Sequence, residues 1–287
     1  MKQQTSTPND GMAWDDFTRM AQLIQNQFGI KMPHSKKIML ESRLRKRLRV
    51  LNIDSFGEYC DLLFSTKGVE VELIHLIDAV STNKTDFFRE AYHFDYLTDR
   101  ILPGMASGSS SGISRKCRVW SAGCSTGEEP YTLAIVLSEF AKSYPGFDFS
   151  ILATDVSKTV LSQAISGIYS HEQIEPIPML LRKKYLWKSK DKERNLVKIA
   201  SDLRNRVEFR WLNFMDQDFG INQSFDIIFC RNVLIYFDRP TQERLLQKLC
   251  NLLTAEGHLF LGHSESVHGL DLPLTRLENT IYRKIPQ

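Results

Sequence analysis

The fifteen residues from Cys117 to Tyr131, CRVWSAGCSTGEEPY, leave this chain few folds to choose from. Cys117, Val119 and Trp120 suit a buried strand, and Pro130 suits the first turn of a helix, where its missing N–H costs nothing. Ser121, Ala122, Gly123, Ser125 and Gly127 lie between them and are small enough for a ligand to rest against the backbone at the carboxyl end of the strand. Strand, small-residue turn and helix in that order open a βαβ unit. The expectation is an open α/β sheet with its site on that rim.

The acids at the helix start choose the ligand. A dinucleotide pyrophosphate wants bare N–H groups there, whereas Glu128 and Glu129 add negative charge, so the favoured ligand carries a cation. S-adenosylmethionine offers a sulfonium and an α-ammonium, which makes Glu129 a candidate ammonium partner. The alternative is that both acids only complement the helix dipole.

Composition excludes several classes. The 287 residues are enough for one large domain or two smaller ones, and 42% hydrophobic content is ordinary for a globular fold. No apolar run approaches the roughly 18 residues of a membrane span, and the polar start MKQQTSTPNDG has no signal-peptide core, so a cytoplasmic protein is expected. Five cysteines, Cys60, Cys117, Cys124, Cys230 and Cys250, are widely spaced with no CxxC pair, which argues for reduced thiols and against a zinc site. The net charge of +3 is too small to identify a partner.

In chain order, residues 1–12 read as a disordered start and residues 13–80 as all helical. Phe17, Met20, Leu23, Ile24 and Phe28 recur at helical spacing before Gly29. In the next helix Leu40, Leu44, Leu48 and Leu51 form one stripe, with Lys36, Arg43, Lys46 and Arg47 beside it. That basic face reads as a solvated surface, a nucleic-acid contact or a dock for an acidic protein. Asp54–Phe64 and Val69–Ala79 complete the helical part. Residues 81–115 read as a linker: STNKTDFFREAYHFDYL has a polar front and an aromatic, core-forming back, and GMASGSSSGIS from Gly104 to Ser114 is a flexible connection.

Residues 116–287 carry the α/β pattern. Phe149–Asp155 is a second buried strand closed by an acid, where ribose hydroxyls are held in such units, although Asp155 also suits an N-cap for a helix over 158–168. An insertion over 170–203 has short strands near Tyr185–Trp187 and Leu196–Ile199. Strands follow at Val207–Trp211, Phe225–Cys230 and His258–Gly262, with a helix over 241–253 and an edge strand over 279–284. Asn213, Arg231 and Asn232 sit just beyond strand ends, so they can converge with Gly123 and Asp155. His263, Ser264 and Glu265 are adjacent and cannot act in series as a triad, so a locally bonded turn is expected there.

STNKTDFFRE, VWSAGCSTGEEPY, FDIIFCRNVLIYF and GHSES, in this order, resemble the chemotaxis receptor glutamate methyltransferases, the CheR family, over about residues 14 to 285. The resemblance implies a class I (Rossmann-like) methyltransferase with a doubly wound sheet, a small all-α N-terminal domain and an inserted antiparallel β-subdomain. It implies S-adenosyl-L-methionine contacts from Asn83, Thr85, Arg89, Glu129, Asp155, Asn213, Phe214, Arg231 and Asn232, S-adenosyl-L-homocysteine as product, and no metal. Arg89 and Tyr236 would be catalytic, although by itself Tyr236 also reads as packing beside Phe237. Lys36, Arg43, Lys46, Arg47 and Arg49 would bind the cytoplasmic helical methylation region of transmembrane chemoreceptors, recruiting the enzyme to receptor arrays. In some relatives the β-subdomain docks a receptor C-terminal peptide; the turn WKSKDKERN here has none of their glycines. Two rival functions remain on the residues alone: a nucleic-acid methyltransferase, and a sensor that binds the cofactor without turnover.

Overall fold

The computed structural model describes residues 11–107, 116–191 and 195–286. The expected disordered start falls largely outside these residues, as do most of the glycine-serine connection and part of the WKSKDKERN turn. The chain forms two units: one ends at Thr82 and takes in Tyr236–Asp238, and the other comprises Asn83–Ile235 and the chain from Arg239 onward.

The first unit is built on four helices: α1 (Trp14–Phe28), α2 (Lys37–Leu51), α3 (Phe56–Leu63) and α4 (Gly68–Val80). Helix α1 buries Phe17, Met20, Ile24 and Phe28 and stops at Gly29, whose φ of 71° admits the left-handed turn that releases the chain. Helix α2 buries Leu40, Leu44 and Leu48, as the apolar stripe requires. At Gly68 the chain passes so close to the carbonyl of Leu62 that a β-carbon would lie 1.7 Å from its oxygen. Tyr236–Asp238 join through an antiparallel bridge from Phe237 to Ile30 and a bond from the Lys31 N–H to the Tyr236 carbonyl. The Lys36 ammonium lies 5.8 Å from the Tyr236 ring centre.

Two of the basic residues on α2 are structural. Arg43 donates to the carbonyls of Ala79, Val80 and Ser81, satisfying the C-terminal end of α4. Arg47 forks onto the buried carboxylate of Glu72, Nε to Oε2 at 2.9 Å. Lys46 and Arg49 are exposed. Arg47→Met should therefore strand Glu72 and cost about 3 kcal/mol in a denaturant melt, whereas Lys46→Ala should stay within about 0.5 kcal/mol. Equal effects from the two would refute this division of labour.

The second unit is the expected α/β fold. Strands β1 (Cys117–Ala122), β2 (Phe149–Asp155), β3 (Ile168–Ser170), β4 (Leu186–Lys188), β5 (Leu196–Ile199), β6 (Val207–Trp211), β7 (Phe225–Cys230), β8 (Leu253–Leu261), β9 (Leu274–Glu278) and β10 (Ile281–Lys284) form two sheets. The large sheet runs β6-β2-β1-β7-β8-β10-β9, parallel up to β8 and antiparallel beyond it. All six residues of β7 are buried, as expected of a strand covered on both faces. The chain leaves β1 towards β2 on one side and meets β7 on the other, so a crevice opens at the carboxyl end of β1.

Three expectations shift. The strand over 279–284 is not an edge: β10 pairs with both β8 and β9, and β9 is the outer strand. Its sequence, LTRLE, is half-exposed and hides the strand from a hydrophobicity reading. Helix α8 (Lys158–Ser166) ends at Gly167, with φ of 61°, and Ile168–Ser170 goes on to make β3. The inserted sheet, β3-β5-β4, thus has three strands where two were expected. Finally, Tyr92–Ser107 is helical, through α5 (Tyr92–Tyr96), a π turn (Leu97–Ile101) and α6 (Leu102–Ser107), and it buries Phe94, Leu97, Ile101 and Leu102 in this unit's core.

Candidate functional site

The turn after β1 is held open by its backbone. Gly123 and Gly127 have φ of 90° and 100°, and a β-carbon on Gly127 would lie 2.7 Å from the Tyr169 hydroxyl, so neither position tolerates a side chain well. The N–H groups of Gly123 and Cys124 both donate to Thr154 O at the end of β2, at 2.8 and 2.9 Å. Between the glycines Ser125 is left-handed, with φ of 49°. Its N–H donates to Asp155 Oδ2 at 2.9 Å and its hydroxyl to the Asn83 carbonyl at 3.0 Å. Asp155 also accepts from Ser157 N–H through Oδ1, while the Ser157 hydroxyl caps α8. The N-cap reading of Asp155 is thereby replaced: its carboxylate ties the end of β2 to the β1 turn.

Helix α7 (Glu128–Ser143) begins at that turn, and its first two acids separate. Glu128 is buried, accepts from the Thr126 hydroxyl at 2.6 Å, and has its carboxyl pushed up by burial. Glu129 accepts from Ser121 Oγ at 2.7 Å through one oxygen and from Arg231 Nε at 2.8 Å through the other. A carboxylate has about four acceptor positions, of which the described bonds to Glu129 use two, so Glu129 retains capacity for further donors.

Arg231, just past β7, is the hub of the network. Besides Glu129 it reaches His93 Nδ1 at 2.9 Å and the Arg89 carbonyl at 2.7 Å, and it lies 3.7 Å from Glu90 Oε2. Its guanidinium also stands over the rings of Phe94 and Phe229, 5.3 and 5.6 Å from their centres. Asn232 follows with φ of 59°, and its N–H donates to Glu265, as do those of Leu234 and Gly262, at 2.8, 2.7 and 2.6 Å. Burial pushes the Glu265 carboxyl up against the opposing pull of these donors. Phe88 and Glu90 are also left-handed, and Glu90 joins Asn232 to Arg231, so two non-glycine residues in this unfavourable region belong to the network around Arg231.

The structure therefore ties Asn83 to Asp155 through Ser125, and gathers Arg89, Glu129 and, through Glu90, Asn232 around Arg231. Asn213 lies next to Leu212, whose N–H donates to the Asp155 carbonyl, and its own side chain accepts from Met215 N–H at 3.1 Å. Phe214 packs on Phe219, and Thr85 is half-buried with no side-chain hydrogen bond among the described residues. The Arg89 side chain donates to the Lys84 carbonyl. Tyr236 groups with the helical unit. Cys124 and Cys230 are buried with their thiols pushed well up, which suits inert packing. Sequence reading missed Glu90, His93 and Thr280, and took Glu265 for a purely local turn residue. His93 and Glu90 were visible only as members of the FFREAYHF stretch, where aromatic content dominated.

The SAM binding domain of CheR methyltransferases matches residues 83–283, and their all-alpha domain matches residues 15–81. A chemotaxis protein methyltransferase of Borreliella burgdorferi is 41% identical over 262 residues, covering 91% of each chain. Another, from Escherichia coli, is 38% identical over 266 residues, 93% of this chain and 89% of that one. Among solved structures, the DszA carbon methyltransferase covers 88% of this chain and 52% of its own at 20% identity, with a TM-score of 0.36.

Proposed function

The chain belongs to the CheR methyltransferase family, and from that premise we propose that it methylates glutamate side chains of chemoreceptors, consuming S-adenosylmethionine and leaving S-adenosylhomocysteine. The observation that carries the reading is the pair of carboxylates on either side of a turn that excludes side chains, Glu129 in the first turn of α7 and Asp155 at the end of β2. Glu129 suits an ammonium and Asp155 suits two ribose hydroxyls, while Asn83, Thr85, Arg89, Asn213, Phe214, Arg231 and Asn232 complete the cofactor set. The bound donor supplies an electrophilic methyl on a positively charged sulfur.

What the protein must add is alignment. A glutamate carboxylate is already a nucleophile at neutral pH, so no general base is required. Holding the reacting atoms in line can remove roughly 7–11 kcal/mol of the barrier. In this reading Arg89 and Tyr236 orient the carboxylate; the assignment of Tyr236 rests on its place in the sequence motif. Exposed Lys46 and Arg49 carry the charge that meets the acidic receptor helices, with Lys36 just ahead of the start of α2, and Arg43 and Arg47 act by holding α2 to α4. In this reading a receptor's C-terminal peptide would add to the edge of the inserted sheet at β4, because the outward N–H groups of the other edge strand, β3, are taken by Ser166 and Gln173. These contacts, in this reading, recruit the protein to receptor arrays; no helix among the described residues is long and apolar enough to cross a membrane.

The test is incubation with labelled S-adenosylmethionine and chemoreceptor membranes, followed by alkali. Volatile methanol is the expected product; a base-stable methyl on RNA or DNA would establish the nucleic-acid rival instead, and cofactor affinity without transfer would establish the sensor. Asp155→Ala should raise the Kd for S-adenosylhomocysteine roughly tenfold to a hundredfold, the worth of a charged hydrogen bond of about 1.5–3 kcal/mol, measured by calorimetry. The pair Lys46→Glu with Arg49→Glu should raise KM for receptor membranes about threefold to tenfold and leave cofactor Kd unchanged.

A further inference from the structure

We infer that His93 is a positioning residue of the methyl-transfer site: as a neutral imidazole protonated on Nε2, it fixes the Arg231 guanidinium in the orientation that grips Glu129. The inference rests on the cofactor reading of Glu129 and Arg231 given above. His93 has no exposed surface and stands nearly perpendicular to the stacked rings of Phe229 and Phe260, 6.5 and 5.6 Å from their centres. Its Nδ1 is 2.9 Å from Arg231 Nη1. A guanidinium only donates, so Nδ1 must be the acceptor and the ring proton must sit on Nε2. That nitrogen is 2.9 Å from Thr280 Oγ1, and the Thr280 hydroxyl donates onward to the Asn279 carbonyl at 2.7 Å. The direction of every bond from Arg231 to the β9–β10 turn is thereby determined.

The arrangement has a mechanical consequence. The guanidinium is held by Glu129 from one part of the chain and by the Arg89 carbonyl and His93 from another, so it cannot swing without breaking a bond. Glu129 is the most ligand-like of the three, and its orientation is set by the other two. Neutrality matters for the same reason. Burial and the Arg231 charge hold the His93 ring down to about 4, with Glu90 opposing and His263 assisting; Thr280 is the uncharged neighbour on Nε2. Protonation would place N–H against N–H. Glu90, His93 and His263 also bring ligand atoms within 4.8 Å of one another, but both nitrogens of His93 are committed, leaving no imidazole lone pair for a metal.

Three variants of the full-length protein test the inference. His93→Phe keeps the ring and removes the acceptor; it should raise the Kd for S-adenosylhomocysteine roughly tenfold to a hundredfold. His93→Asn, whose amide oxygen takes the place of Nδ1, should recover to within about threefold of wild type, a rescue that a merely space-filling role would not show. Thr280→Val should free the tautomer and give an intermediate loss. In 15N-histidine spectra the signal lost in His93→Asn should be a neutral Nε2–H ring from pH 8 to pH 5, and cofactor affinity should stay flat over that range and fall below it. A ring protonated on Nδ1, or doubly protonated at pH 7, would overturn the inference even if His93→Phe failed to fold. So would wild-type affinity and turnover in folded His93→Phe. If the wild-type protein bound no cofactor while the tautomer stood as described, the failure would belong to the proposed function instead.

Discussion

Arg231→Met should lower the stability of the chain by about 3–5 kcal/mol, because it strips the counter-charge from two carboxylates that water barely reaches. The Arg231 side chain is 2% exposed, and those of Glu129 and Glu90 are 11% exposed each. Three acceptors lose their donor at once: Glu129, His93 and the Arg89 carbonyl. Arg231→Lys should recover little, since one ammonium cannot reach three acceptors spread around a planar fork. Pairing Arg231→Met with Glu129→Gln should cost less than the sum of the two, with a coupling of about 1–3 kcal/mol, because the second change removes the stranded charge. Urea melts of the four proteins measure this directly. A loss below about 1 kcal/mol in Arg231→Met, or strict additivity, would mean that the network does not hold the site together.

Glu265→Ala should be the second severe change. Its two oxygens accept from the N–H groups of Asn232, Leu234 and Gly262, all within the loop that carries Arg231 or the strand end beside it. Each buried donor left unpaired costs about 1–3 kcal/mol, so a loss of at least about 3–5 kcal/mol is expected. Asn232 would suffer most directly, because its left-handed backbone, with φ of 59°, has this carboxylate as an anchor. Glu265→Gln should cost about 1–3 kcal/mol: its carbonyl oxygen can serve Asn232 and Gly262, but its amide then turns donors towards Leu234 N–H. Exposed Ser264 next door serves as control, with Ser264→Ala expected within about 0.5 kcal/mol. Thermal or urea melts with a Glu265→Ala loss no larger than that control would refute the anchoring role.

Much of this was readable from residue order, for reasons that particular elements make plain. Strand β1 and the small residues after it announce themselves because burial on both faces demands an unbroken apolar run and a close turn demands glycine. Helix α1 is visible because one face must be apolar every three to four residues. The same logic fails where those pressures relax. Strand β9 is half-exposed and reads as a loop, and β3 is three residues long and hides behind a helix that Gly167 stops early. On α2, three of the basic residues look alike in sequence, yet Arg43 closes a helix end and Arg47 neutralises a buried acid while Lys46 faces solvent.

The chain's own order of residues determined its two building styles, the strand-turn-helix at its centre and the carboxylates placed at a helix start and a strand end, since each follows from contacts between near neighbours. Only the tertiary structure decided that His93, Arg231, Glu129 and Thr280 form one chain of donors and acceptors, across sequence separations as large as 187 positions. Local patterning carries no information about such partners. A hydrogen bond depends on where two atoms lie in space, and that is set by how the strands are ordered in the sheet.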